Sequence, residues 1–100
     1  MKSLIAIFLI INVSFSQSSI LVGTIKDSSD KKPLVGANVF LKETSLGTAT
    51  LESGNYKITN INPGAYILKV TYIGYESKEI KINFTPGKII KQDFGIYQKD

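Results

Sequence analysis

Past the first sixteen positions, the chain places its apolar residues at every second step. Leu21 and Ile25 share one parity, as do Ala37, Val39 and Leu41, then Tyr56 and Ile58. Tyr66, Leu68, Val70 and Tyr72 form the longest such row, followed by Ile80, Ile82 and Phe84 and then by Phe94 and Ile96. The alternate positions carry mostly Lys, Thr, Asn and Glu. A period of two puts one side of each segment in a core and the other in water, the habit of antiparallel sheets with one wet face. No stretch shows a convincing 3.6-residue repeat. The pattern predicts strands over 19–27, 37–43, 47–51, 55–59, 65–73, 77–84 and 88–97. Between them lie segments with turn chemistry: DSSDKKP at 27–33, Glu52-Ser53-Gly54-Asn55, Asn62-Pro63-Gly64 and Thr85-Pro86-Gly87. The two Pro-Gly stretches read as the same hairpin chemistry used twice. Short strands with turns every several residues predict an all-β fold, a seven-stranded antiparallel β-sandwich.

The rhythm fails at one place. In PGAYILKVTYIGYE, residues 63–76, Gly74 stands where the next inward side chain of the longest strand belongs. Glycine inside a strand pattern marks a bend, a bulge or a close backbone approach, and it alone takes positive φ cheaply. The chain is therefore expected to bend at Gly74, with Ile73 and Tyr75 covering one end of the sandwich before the return strand. Gly23, on the parity of Leu21 and Ile25, is expected to leave similar room for an aromatic ring.

The first sixteen residues follow a different logic. Met1-Lys2 gives a positive start, Leu4 to Val13 an apolar run, and Ser14-Phe15-Ser16 small residues at the two positions a signal peptidase reads. This is the pattern of a secretory signal peptide over 1–16, cleaved after Ser16, ahead of one domain over 17–100. The run is short of the roughly 20 apolar residues that span a bilayer. No later segment is apolar enough to cross as a helix, and a closed transmembrane barrel needs at least about eight strands of its own. The chain has no Cys, so an exported fold here is built without disulfides and without the thiol of a lipoprotein anchor.

Charge changes the picture little. The formal charge is +4, all twelve basic residues are Lys, and loss of Lys2 with the leader leaves +3. Nucleic-acid surfaces favour the bidentate fork of Arg, and these lysines alternate with Glu and Asp. They fit better as outward guards of sheet edges, so no nucleic-acid partner is expected.

The residues in order carry a resemblance. Val22-Gly23-Thr24-Ile25 with Asp27, Pro33-Leu34-Val35-Gly36-Ala37-Asn38-Val39, and Leu46-Gly47-Thr48-Ala49-Thr50 come first. Gly54-Asn55-Tyr56-Lys57-Ile58, Pro63-Gly64-Ala65-Tyr66 and Tyr72-Ile73-Gly74-Tyr75 follow. Together, over about residues 20–97, they resemble the carboxypeptidase regulatory-like domain. That resemblance implies a transthyretin-like β-sandwich, grouped with carbohydrate-binding-like folds. Leu51 departs from the pattern, because the family usually has Asp after the Gly-Thr-x-Thr run; an Asx-type turn is expected to be lost or remade there. A leader followed directly by this pattern is similar to the N-terminal extension of TonB-dependent outer-membrane receptors. The resemblance then implies a place on the periplasmic side of the outer membrane, or secretion. The chain carries neither plug nor barrel, so it is expected to be the front of such a receptor or a free-standing copy of the module.

Catalytic chemistry finds little to work with. With no His and no Cys, Ser-His-Asp and Cys-His pairs and the common zinc sets are absent. No catalytic, metal or cofactor residue is expected. Glu76 and Glu79 sit on opposite strand parities, which excludes a glycosidase-type pair. Asp27 and Asp30 offer a calcium-type loop, yet too few oxygen ligands, and read as a solvated turn. Tyr75 and Tyr97 are the candidates for stacking on a glycan, although aromatic residues in half-buried strands are ordinarily structural. Asn83-Phe84-Thr85 matches a glycosylation sequon that recurs by chance. The expected function is a non-catalytic docking or accessory module of a receptor, its partner the receptor's plug or barrel or another periplasmic protein. The alternative is a secreted glycan-binding or structural sandwich acting alone.

Overall fold

Alternation becomes sheet in a computed structural model that describes residues 17–100; the leader expected over 1–16 lies outside the described residues. The strands are β1 (Ser19–Asp27), β2 (Asn38–Leu41), β3 (Gly47–Ala49), β4 (Asn55–Ile61), β5 (Gly64–Thr71), β6 (Lys78–Phe84), β7 (Ile89–Lys91) and β8 (Phe94–Ile96). One sheet is β3-β2-β5-β6, antiparallel throughout. The other centres on β1, with β4 antiparallel on one side and β7 and β8 on the other. The alternating apolar residues of both sheets meet between them: Leu21, Ile25, Val39, Leu41, Ile61, Leu68 and Val70 are fully buried, with Phe84, Phe94 and Ile96 nearly so. Phe84 also meets the Tyr66 ring edge-on, with centroids 5.7 Å apart. The expected two-sheet β-sandwich is present.

Three details depart from the expected pattern. First, the strand expected over 88–97 is two strands, which makes eight among the described residues, and both pair with β1 in parallel. The register survives the break, with Val22 opposite Lys91 and Ile25 opposite Phe94. At the joint, the Gln92 amide donates to the Val22 carbonyl at 2.8 Å. The next donor of β1, the Thr24 amide, finds the Asp93 carboxylate at 2.9 Å instead of a main-chain carbonyl. A side chain thus replaces one rung of the ladder, and the strand divides there.

Second, neither Pro-Gly stretch closes a hairpin. Asn62-Pro63 carries the chain from β4 in one sheet to β5 in the other, and Thr85-Pro86-Gly87-Lys88 carries it back from β6 to β7. Proline suits a link that leaves its sheet, since its missing N–H costs no ladder bond there. Third, β4 runs two residues further than its apolar pattern suggested. A bulge places one extra residue between Ile58 and Ile61 opposite β1, and Asn60 takes φ 59° within it. The bulge returns Ile61 to the core, where it is fully buried.

The strand directions sort the loops into two ends. Residues 17–19, the β2–β3 hairpin and both Pro-Gly links gather at a leading end. Residues 28–37, 50–54, 72–77 and 97–100 gather at a trailing end. Because β8 runs parallel to β1, the chain enters at one end and leaves at the other.

Candidate functional site

The trailing end holds most of the polar groups singled out from the sequence, and it answers the question posed by Gly74. β5 stops at Thr71, and Tyr72-Ile73-Gly74-Tyr75 closes as a tight turn, the Tyr75 amide donating to the Tyr72 carbonyl at 3.0 Å. Gly74 takes φ +81°, the value a type II turn requires at its third position. A Cβ there would meet nothing within 4 Å, so glycine serves conformation and not space. The turn then grips the end of the chain. The Lys99 amide donates to the Gly74 carbonyl, the Glu76 amide to the Tyr97 carbonyl, and Tyr75 and Gln98 form an antiparallel bridge.

Asp27 is the centre of this end. It lies 3 % exposed, and its two carboxylate oxygens are engaged separately. Oδ1 accepts from the Ser29 amide at 2.7 Å and from the Asp30 amide at 3.3 Å. Oδ2 accepts from the Tyr75 hydroxyl at 2.6 Å and from Gln98 Nε2 at 3.4 Å. Gln98 Nε2 also donates to the Tyr75 hydroxyl at 3.1 Å. The Tyr75 hydroxyl, first, and the Ser29 amide hold the Asp27 carboxyl below its ordinary range. The same bond to Asp27 pushes the Tyr75 phenol up. Hydrogen-bond donors therefore face this carboxylate on both oxygens, and the DSSDKKP loop is ordered by its own amides. Asp30 joins in the same way, accepting from the Lys32 amide at 2.9 Å.

Other candidates are dispersed. Tyr75 is half-buried, its ring tilted against Tyr72 with centroids 5.2 Å apart. Tyr97 is 61 % exposed. Glu79 lies on the outer face of the β2–β5–β6 sheet, 3.0 Å from Lys42 and 3.8 Å from Lys69, and the Lys42 hydrogen bond holds its carboxyl below the usual range. Glu76 contributes its amide to the turn described above, and Asn83 sits exposed on β6.

The expected cover by Ile73 is not found. Tyr75 packs on the core, but Ile73 stands 92 % exposed at the turn's tip, because a residue at the second corner of such a turn points away from the strands it joins. The expectation for Gly23 holds: opposite it in register is Tyr56, whose hydroxyl donates to the Gln92 carbonyl. A Cβ at Gly23 would collide with that carbonyl and come within 2.8 Å of the Tyr56 oxygen. Burial, and to a lesser extent Asp93, push the Tyr56 phenol far up.

At Leu51 the expected loss of an Asx turn is made good by the main chain. The Gly54 amide donates to the Leu51 carbonyl at 2.8 Å, and the Leu51 amide to the Asn55 carbonyl at 2.9 Å. Pattern reading missed Thr50. Its side chain is 3 % exposed, donates to the Leu34 carbonyl and accepts from the Ala37 amide, and so fixes the loop before β2. Its place after Gly47-Thr48-Ala49 was visible, but its bonding partners were not.

Among the large hydrophobics of the described residues, Val35, Leu51, Ile73, Ile89 and Tyr97 are exposed, and all but Ile89 belong to the trailing end. Val35 and Leu51 share a shallow concavity with Thr50, Glu52, Ser53 and Asn55. No group of three or more acidic side chains among the described residues is placed to hold a metal ion.

These features define a small two-sheet sandwich whose buried polar side chains, among the described residues, are all hydrogen-bonded, with apolar side chains exposed at one end. The chain belongs to the CarboxypepD_reg-like domain family, whose model matches residues 21–100. It is 34 % identical over 87 residues to the TonB-dependent receptor SusC of Bacteroides thetaiotaomicron, a match covering 87 % of this chain and 8 % of the receptor. A TonB-dependent receptor of Formosa agariphila is 39 % identical over 69 residues, covering 69 % of this chain and 6 % of the receptor. The chain thus spans only a small part of the curated relatives it matches. Among solved structures, BcpA, the major pilin subunit of Bacillus cereus, aligns with a TM-score of 0.67 at 19 % identity, over 83 % of this chain and 31 % of that one. A type II cohesin–X-dockerin complex of Acetivibrio cellulolyticus also gives 0.67, at 21 % identity, over 80 % and 58 %. At such identities the likeness is one of fold.

Proposed function

We propose that the chain is a non-catalytic accessory module of a TonB-dependent receptor, exported and working on the periplasmic side of the outer membrane. The observation that carries this is the match to two such receptors over 87 % and 69 % of the chain. Two features of the molecule agree with it. The carboxylates of Asp27, Asp30, Asp93 and Glu79 are each engaged by the protein's own donors or lysines, as structural side chains are. The last strands run parallel to β1, so a receptor polypeptide continuing past this module would emerge at the trailing end. A glycan-holding role draws on Tyr75 and Tyr97, and it is weakened because the half-buried Tyr75 ring packs against Tyr72 and the core.

Fractionation of cells producing the protein, with an antibody against residues 17–100, tests the reading. The antigen is expected in the outer-membrane fraction, as part of a TonB-dependent receptor polypeptide or co-purifying with one. Antigen confined to the cytoplasm or to the culture medium would overturn it.

A further inference from the structure

The loops of the trailing end hold Val35, Leu51, Ile73 and Tyr97 out in water at 51, 62, 92 and 61 % exposure. Exposed apolar residues are ordinary when scattered; here Val35 and Leu51 share one concavity, and Ile73 and Tyr97 lie on the neighbouring turn and chain end, the kind of concentration that goes with a contact surface. The backbone that carries Ile73, Leu51 and Val35 is also braced. Ile73 rides on a turn closed by the Tyr75–Tyr72 hydrogen bond, braced by the Lys99 amide on the Gly74 carbonyl and anchored through Tyr75 to Asp27. Leu51 rides on a turn closed by the Gly54 amide, beside the Thr50 hydroxyl that clamps the loop carrying Val35. Loops braced in this way need no further ordering of their backbone when covered, which suits a docking surface.

We propose that this end is the face on which the module seats against an apolar surface of the receptor domain that follows it. The inference rests on the receptor reading above and names the surface and occupant it leaves open. β8 runs towards this end, and Tyr97–Lys99 are pinned to the Gly74 turn. In a receptor of which the matched segment is 6–8 %, the polypeptide that continues past that segment therefore emerges at this end, beside Ile73 and Tyr97. Tethering of this kind raises the effective concentration, into the millimolar range for a short flexible linker, so a patch too small to hold a free partner suffices for a tethered one.

These 100 residues hold no cysteine, so each introduced thiol is the only one in the module, and any thiol elsewhere in the receptor is replaced first. Ile73→Cys and Leu51→Cys at the trailing end, and Asn83→Cys on the outer face of β6, are each labelled with a benzophenone maleimide in the detergent-solubilised native protein and irradiated. Adducts from positions 73 and 51 to the receptor domain next in line, with none from position 83, are the expected result. The double variant Ile73→Asp, Leu51→Asp is expected to weaken association of the module with that domain by about tenfold or more, the loss that follows removal of an apolar anchor. All these positions are exposed, and an unchanged circular-dichroism spectrum verifies folding. Adducts from position 83 alone, or equally from all three, to a receptor would sink the surface and leave the receptor reading standing. Adducts from 73 and 51 to a protein other than a receptor would sink both. Adducts to a second copy of the chain, or none at any position, would overturn the proposed seat.

Discussion

At the scale of single residues, two glycines do different work, and the difference is measurable. Gly74 has open space where a side chain would go but sits at φ +81°. The cost of alanine there is conformational, about 1–2 kcal/mol. Gly23 has ordinary φ but a carbonyl and a phenol oxygen in the space of its missing Cβ. Gly23→Ala must push apart β1, Tyr56 and Gln92, an overpacking cost of about 1–3 kcal/mol. Urea unfolding is expected to place both midpoints below wild type, and only Gly23→Ala is expected to weaken amide protection of Gln92. The Tyr75–Asp27 bond makes a pH-dependent prediction. Asp27 is held below its ordinary range, so its contribution is complete above the usual carboxylate pKa and is lost as pH falls through the lowered value. Tyr75→Phe removes the first cause of that shift. Acid unfolding followed by circular dichroism is then expected to begin at higher pH than in wild type, with the gap between the proteins narrowing below the ordinary carboxylate range.

At the scale of elements, the informative one is the divided last strand. Its apolar parity was legible in Phe94 and Ile96, both of which are buried as expected. The division was not legible, because it depends on a side chain reaching a donor 69 residues away in sequence, Thr24 to Asp93. Asp93→Ala removes the acceptor of both the Thr24 amide and its hydroxyl, at 2.9 and 3.1 Å. The site is exposed, so water replaces part of the loss, and destabilisation of about 1 kcal/mol is expected. Asp93→Asn keeps an oxygen acceptor and is expected to restore most of it. Hydrogen exchange at Thr24 is the readout, rising in the first variant and near wild type in the second. The two Pro-Gly links teach a related lesson. Pro-Gly sequences announce a change of direction, and hairpins and sheet-to-sheet crossings both begin with one. Which of the two occurs depends on where the next strand finds its partner.

At the scale of the whole molecule, the parallel pairing of β7 and β8 with β1 decides where the ends lie. An antiparallel closing strand would bring the chain back towards Ser19; the parallel pair carries it the length of β1 away. β1 has nine residues, so labels near the two ends should stand on the order of 30 Å apart. Spin labels at Gln17→Cys and Asp100→Cys, in a chain otherwise free of cysteine, are expected to give that separation by double electron–electron resonance. A distance below about half of it would place the last strand antiparallel. The same polarity brings residues 97–100 out at the trailing end, beside the Gly74 turn.

What the sequence determined by itself was local. Alternation assigned a core face to each strand, since a period of two leaves no other way to hide the apolar side chains, and the break at Gly74 located a turn that only glycine completes well. The family resemblance followed from the order of those short motifs. The tertiary structure decided what alternation cannot encode: which sheet each strand joins, the parallel direction of the last two, and the partner of each buried polar group. Asp27 and Tyr75 are 48 residues apart and nothing near either names the other. A hydrogen bond is chosen by proximity in space, and that proximity exists only after the sheets have packed.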